Sequence, residues 1–318
     1  MNLLVADKAG RIFDHPFLAP AVAAGANHFA PPPRRDWEVL PEVGSLLLSL
    51  PGRRPIGYDP KRNTFEVVDW IWLDGAKVEV FAVGAVFPTG FTRSHLPAYQ
   101  ELPGAPLLPL YAYTAVAFDR GQTVGLAFST ERRTRWDPGS YFLPPLQAKV
   151  DRALAQDPKN RLLQQVARCA LEYGCYNAQN IFYRRWEGGM PVSAGCNSRC
   201  VGCISLQDKD GPPAPQERVG APPSIDELSR VTKAHLDCGP FAQISFGQGC
   251  EGEPTLRADV MEETMREARR HTQAGTLHVN TNGSRPQFVP RLVEAGLHSA
   301  RVSLNAATPA YYDAYYRP

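Results

Sequence analysis

The chain has 318 residues, 43% of them hydrophobic and 21% charged, the composition of a folded globular protein with room for about two domains. A formal net charge of +2 gives no field that would mark a nucleic-acid or membrane-surface binder. No apolar run approaches the ~20 residues of a spanning helix, and residues 1–10 lack the basic-then-apolar order of a secretory leader.

The first 145 residues read as a β-rich domain. Trp70-Ile71-Trp72-Leu73, then Asp74-Gly75, then residues 77–83 predict a hairpin, because Asp-Gly tolerates the positive φ of a type I′ turn. A second hairpin is expected over 111–118 and 123–128, turning at 119–122. Prolines number 30 in the chain, and their clustering at 31–33, 103, 106, 109 and 144–145 implies short strands and long connections. A small barrel or sandwich follows, with no catalytic motif in it. The run Glu131-Arg132-Arg133-Thr134-Arg135 reads as a solvated loop, with anion binding as the alternative.

Residues 146–189 read as a helical connector, with helices at 146–155 and 161–173 split at Asp157-Pro158. From residue 190 strand and helix alternate. A short strand is expected at 191–195, and a Pro-, Asp- and Gly-rich stretch at 207–223 reads as a mobile loop. Ser224-Ile225-Asp226-Glu227 is a capping box opening a helix. Strands follow at 241–246, 276–281 and 299–304, separated by helices at 257–271 and 287–295. This β-α-β-α-β-α-β order predicts a parallel sheet. Its strands alternate: Ile244 and Phe246 against Gln243 and Ser245, Leu277 and Val279 against His278, Asn280 and Asn282, Val302 and Leu304 against Arg301, Ser303 and Asn305. The apolar set should pack on helices and the polar set should face a ligand cavity.

Seven cysteines is an odd number in a chain too long to be a disulfide scaffold, so a reducing, cytoplasmic setting with free thiols or metal ligands is expected. Three of them form Cys196-x3-Cys200-x2-Cys203 directly after a predicted strand. Three thiolates leave one position open on a soft metal centre, whereas structural zinc and ordinary iron–sulfur clusters take four protein ligands.

This spacing resembles the cluster motif of the radical S-adenosylmethionine (radical SAM) superfamily. Glu251-Gly252-Glu253-Pro254, with Gly249 just before it, resembles the family's motif for the amino group of SAM. Asn280-Thr281-Asn282-Gly283 resembles its Thr-Asn-Gly element, and Ser303-Leu304-Asn305 sits where the family contacts the ribose. The resemblance covers residues 190–318 and implies a [4Fe–4S] cluster on Cys196, Cys200 and Cys203. It implies SAM chelated to the fourth iron, and reductive SAM cleavage to a 5′-deoxyadenosyl radical that abstracts hydrogen from an unidentified substrate. It also implies an external one-electron donor of the flavodoxin or ferredoxin type. Arg301 is a candidate for the SAM carboxylate from its strand facing and its guanidinium geometry.

The pattern departs from the family at Gly202, where an aromatic residue usually contacts adenine; another group must then do so. The chain also stops at Pro318, as a helix bearing Tyr311, Tyr312, Tyr315 and Tyr316 begins. The expected fold is thus α/β: the first four β/α units of a TIM-type radical SAM barrel, truncated at the C-terminus, behind a β-rich domain. The fourth strand should show an unpaired edge or be covered by the tyrosines. Two alternatives stand beside this one. A structural zinc or iron–sulfur protein without SAM chemistry could use Cys175, Cys250 or a histidine as fourth ligand. A fragment could keep the cluster loop and not turn over. Balanced charge argues against a nucleic-acid substrate. Cys250 can be read as a hydrogen donor or extra ligand, but a buried inert thiol is the simpler role, and Cys169, Cys175 and Cys238 read as core residues. Gly247 and Gly249 alone make a weak phosphate-loop signal.

Overall fold

The structure, a computed structural model, describes residues 1–23, 25, 28–130 and 134–318. The charged run read at 131–135 lies largely outside the described residues. The chain divides into two compact units, Met1–Tyr141 and Phe142–Pro318.

The first unit is β-rich and antiparallel. Its largest sheet joins Asn2–Ala6 to Phe81–Val86 on one side and to Val116–Asp119 on the other, with Leu46–Leu50 and Gln122–Ser129 beyond them. The Trp70–Leu73 and Ala76–Glu79 strands form the expected hairpin. Asp74 and Gly75 both take positive φ, +51° and +80°, as a type I′ turn requires. The return strand ends earlier than expected, because Phe81–Val86 leaves the hairpin to pair with Asn2–Ala6. The second hairpin turns at Arg120-Gly121 and pairs Val116–Asp119 with Gln122–Ser129, so its first arm is shorter than expected while its return strand spans the expected residues. Its apolar residues gather in several small clusters, such as Leu3, Val5, Ile71 and Val80, each beneath short strands.

The second unit has one continuous core. Its strands are β1 (Glu187–Met190), β2 (Gln243–Phe246), β3 (Thr276–Thr281) and β4 (Ser299–Val302), all parallel and in sequential order. Between them run α4 (Ile225–Leu236), α5 (Ala258–His271) and α6 (Val289–Glu294). Right-handed crossovers that always advance in one direction put their helices on one face of the sheet. Ile244, Phe246, Leu277 and Val279 are buried on that face with Leu228, Met261, Met265 and Leu292. Each such side chain contributes roughly 1.5–3 kcal/mol through burial. The helices α1 (Leu146–Gln156), α2 (Arg161–Leu171) and α3 (Tyr176–Tyr183) share this core through Val150, Val166, Ala170 and Ile181.

Three expectations are corrected. The first strand lies at Glu187–Met190, not at 191–195. Pro191 has no N–H for a ladder, and the strand instead uses Gly188, where a Cβ would stand 2.1 Å from Ile181 of α3. Helix α3 gave no clear sequence period, since its two turns carry buried Gln179 and Asn180 among apolar residues. Val302 and Leu304 are 59% and 64% exposed and do not pack on helices. Strand β4 pairs with β3 and, among the described residues, with no other strand. The final helix, α7 (Pro309–Tyr316), meets its end instead: the Tyr316 hydroxyl donates to Ser303 O at 3.0 Å and accepts from Asn305 N at 2.9 Å.

The capping box at Ser224 forms as expected, and its Glu227 also binds across to α2. The Glu227 carboxylate accepts from Arg161 N, Nε and Nη2 at 2.9–3.0 Å and from Ser224 N at 2.8 Å. Arg161, helped by these main-chain donors against the opposing effect of burial, holds Glu227 down at about 2 from an ordinary 4.5. A depressed carboxyl contributes stability that is complete above its unfolded value and lost as pH falls. Glu227→Gln should therefore destabilise the protein at pH 6, and the gap to wild type should shrink as pH falls from 4.5 toward 2. Urea midpoints of both proteins at pH 6 and pH 3 check this; an equal gap at both would refute it.

Among the described residues no helix is long and apolar enough to cross a membrane.

Candidate functional site

The loops that follow the four strands meet at the C-terminal ends of the sheet, the usual place for a ligand in parallel α/β folds. Two buried carboxylates tie these loops together. Glu251 Oε2 accepts from Val192 N and Ser193 N at 2.6 and 2.8 Å, and Oε1 from Gly247 N and Gln248 N at 2.7 Å. One side chain thus clamps the loop after β1 to the loop after β2. Burial pushes its carboxyl up to about 7, while the four main-chain donors work the other way. Glu253 makes the next clamp. Its Oε1 accepts from the Thr281 hydroxyl at 2.5 Å and from the Thr255 hydroxyl at 2.6 Å, and its Oε2 accepts from Asn282 N at 2.8 Å.

Between them Gly252 lies against the start of the cysteine loop. Gly252 N donates to Ser193 O at 2.8 Å and Glu253 N to Gly195 O at 2.9 Å. A Cβ on Gly252 would stand 1.9 Å from Gly195 O, so only glycine permits this approach. Asn282 Nδ2 then donates to Asn197 Oδ1 at 2.9 Å, fixing the cysteine loop to the end of β3.

Cys196, Cys200 and Cys203 line one pocket of about 280 Å³. Gly249, Glu251, Gly252, Glu253, Pro254, Asn280, Asn282, Arg301, Ser303 and Asn305 line the same pocket, so the residues named from the sequence as candidates for holding the cluster and SAM are brought to one place. The strand register explains part of this, since Asn280 pairs with Arg301 and their side chains share the face away from the helices. Arg301 has no ion pair among the described residues. His278 bridges Ser299 Oγ at 2.8 Å and Asn280 Oδ1 at 3.2 Å and does not itself line the pocket.

The thiols feel one another. Burial, followed by the neighbouring Cys196 and Cys203, raises the Cys200 thiol. Burial acts the same way on Cys203, but Ser205, the Leu206 amide and Arg218 outweigh it and hold that thiol below its ordinary value. Among the described residues no group of three or more His, Cys, Asp or Glu is arranged to hold a single metal ion. Three soft thiolates lining one pocket, with no fourth protein ligand among its lining cysteines, are a donor set suited to an iron–sulfur cluster with one open position.

Three residues here were not among the candidate site residues read from the sequence. Gln248 is one, its amide lying over Gly189. Arg218 comes from the Pro-rich loop, which is pinned rather than free: Val219 N donates to Cys250 O at 2.8 Å and Arg257 Nη1 to Pro223 O at 2.8 Å. Tyr315 is the third. Its hydroxyl lies 2.6 Å from where a Cβ on Gly202 would stand, so an aromatic ring from α7 takes the space that a side chain at position 202 would fill. Main-chain bonds hold α7 there, Val201 N to Tyr315 O at 3.0 Å and Arg199 N to Tyr316 O at 2.9 Å. Only the tyrosine run at 311–316 hinted at it.

The remaining cysteines lie elsewhere. Cys250 is buried in the core and hydrogen-bonds Cys169, which together with burial raises its thiol. Burial pushes Cys175 up to about 11. Cys238 sits just past the end of α4.

Residues 190–318 match the family model of the radical SAM superfamily. No curated protein and no solved structure was found to match the chain.

Proposed function

Since residues 190–318 belong to the radical SAM superfamily, we propose that the chain is a radical SAM enzyme whose site is the pocket at the ends of β1–β4. The observation that carries this reading is the convergence of the three cysteines with the Glu251–Pro254 loop and the polar ends of β3 and β4. Cys196, Cys200 and Cys203 would hold three irons of a [4Fe–4S] cluster. When bound, the cluster and SAM supply a 5′-deoxyadenosyl radical that removes hydrogen from a substrate.

The protein's own part is binding, orientation and shielding. The Glu251 and Glu253 carboxylates are committed to main-chain and threonine donors, so they shape the loop, and its main chain faces the methionine end of SAM. Arg301 meets the carboxylate of SAM. Asn280, Asn282, Ser303 and Asn305 give a polar wall for the ribose. Tyr315 offers its ring to adenine in place of a side chain at 202. The sheet corresponds to the first four β/α units of a TIM-type barrel. Residues 1–145 act as a separate β-rich domain in substrate recognition, and the helices read as a connector at 146–189 belong to the core of the second unit. A flavodoxin- or ferredoxin-type donor delivers the electron, in the cytoplasm.

Anaerobic reconstitution with iron and sulfide tests the reading. A four-iron spectrum that changes on adding SAM supports it. One zinc per chain with no cluster sinks it, and a cluster that never cleaves SAM reduces the chain to a binding protein.

A further inference from the structure

Arg218 is the one cation that the Pro-rich loop brings to the thiols. Its Nη2 donates to Cys203 Sγ at 3.2 Å and its Nε to Ser205 Oγ at 3.2 Å, and Ser205 Oγ lies 3.7 Å from the same sulfur. The guanidinium is half-buried, lines the pocket, and has no carboxylate partner among the described residues. Its position is built on both sides. Glu217 pairs with Arg168 at 2.7 Å, and Val219 is buried with its amide on Cys250 O. A half-buried guanidinium without a counter-charge is costly unless it faces developing negative charge.

We propose that Arg218 is a positioning residue that sets the reduction potential of the cluster held by Cys196, Cys200 and Cys203; this rests on the radical SAM reading above. Three thiolates give a four-iron cluster a net negative charge, and one-electron reduction by a low-potential donor adds another. A cation and an N–H donor at one ligand sulfur favour the reduced form more than the oxidised form. Arg218 therefore makes the cluster easier to reduce.

The test is a redox titration of the reconstituted protein without SAM, followed by electron paramagnetic resonance. At the poise where wild type is half reduced, Arg218→Ala should show a ratio of reduced to oxidised cluster about tenfold lower, equivalent to ~59 mV for a one-electron couple. Arg218→Lys, which keeps the charge, should recover most of the loss, whereas Arg218→Gln, which keeps a donor only, should recover less. Equal midpoints for wild type and Arg218→Ala overturn the proposal and leave the radical SAM reading standing. An unchanged midpoint with a fall in SAM affinity alone overturns it as well. Loss of cluster assembly in both the Ala and Gln variants assigns Arg218 a structural role and also overturns it. Absence of a cluster in wild type overturns both readings.

Discussion

Cys200→Ser is expected to abolish the cluster and leave the fold intact. Serine offers a hard, weakly acidic hydroxyl where a soft thiolate is needed, and the C-x3-C-x2-C loop has no spare cysteine, since Cys250, Cys169 and Cys175 are buried in or against the core of the second unit. Iron after anaerobic reconstitution should fall well below wild type, and SAM cleavage should fall on the order of a thousandfold or more, the scale on which losing an essential group acts. Cys200 is outside the hydrophobic core, so stability to urea should move by no more than about 0.5 kcal/mol. Cys250→Ser is the opposite control. It replaces a thiol hydrogen-bonded to Cys169 inside the core, so it should cost stability by about 1 kcal/mol and retain iron. If Cys200→Ser kept full iron while Cys250→Ser lost it, the cluster would be assigned to the wrong cysteines.

The second large effect is expected at Glu251. Four main-chain amides converge on its two oxygens from two different loops. In Glu251→Gln one oxygen becomes an NH2 group, which points a donor at two donors. Two buried amides are then left without acceptors, at about 1–3 kcal/mol each. A loss of about 2–6 kcal/mol is a large part of the 5–15 kcal/mol that holds a typical domain together. Because the clamp joins the loop before Cys196 to the loop after β2, iron loading should fall together with stability. Chemical denaturation monitored beside iron content checks this. A variant as stable as wild type would show that the clamp is not what holds the loops. Glu251→Asp should not rescue, since its shorter side chain cannot span both loops.

How much of the molecule is legible in its sequence differs from residue to residue. The period of two in the 243–246 and 276–282 segments is legible because alternate residues of a strand face opposite ways whatever the surrounding fold. The same rule picks out Arg301 on β4 and Ser303 and Asn305 just past its end, which line the pocket, yet misjudges Val302 and Leu304. Alternation reports which residues share a face, not whether anything covers it. The capping box at Ser224 is equally local, and forms as read. That its Glu227 also holds Arg161 depends on a helix 66 residues earlier, and no spacing rule carries that distance.

The glycines show the same divide. Gly188 and Gly189 precede the strand expected at 191–195, yet the strand observed runs over Glu187–Met190. They stand in β1 because Ile181 of α3 and Gln248 of the next loop press against the strand there. Gly202 looks like a departure from the family pattern, and only the folded chain shows Tyr315 filling the space.

The sequence by itself determined the chemistry on offer: three thiolates at fixed spacing, the Glu251–Pro254 loop, polar strand ends, and a parallel β/α order to carry them. Each is a property of near neighbours, where periodicity, capping and ligand spacing act directly. The tertiary structure alone decided how those parts are held. It brought Arg218 to Cys203, set Tyr315 over Gly202, and turned Glu251 and Glu253 into clamps between neighbouring loops. Those outcomes depend on contacts between segments 15 to 113 residues apart, which packing and hydrogen-bond satisfaction select only once the sheet exists.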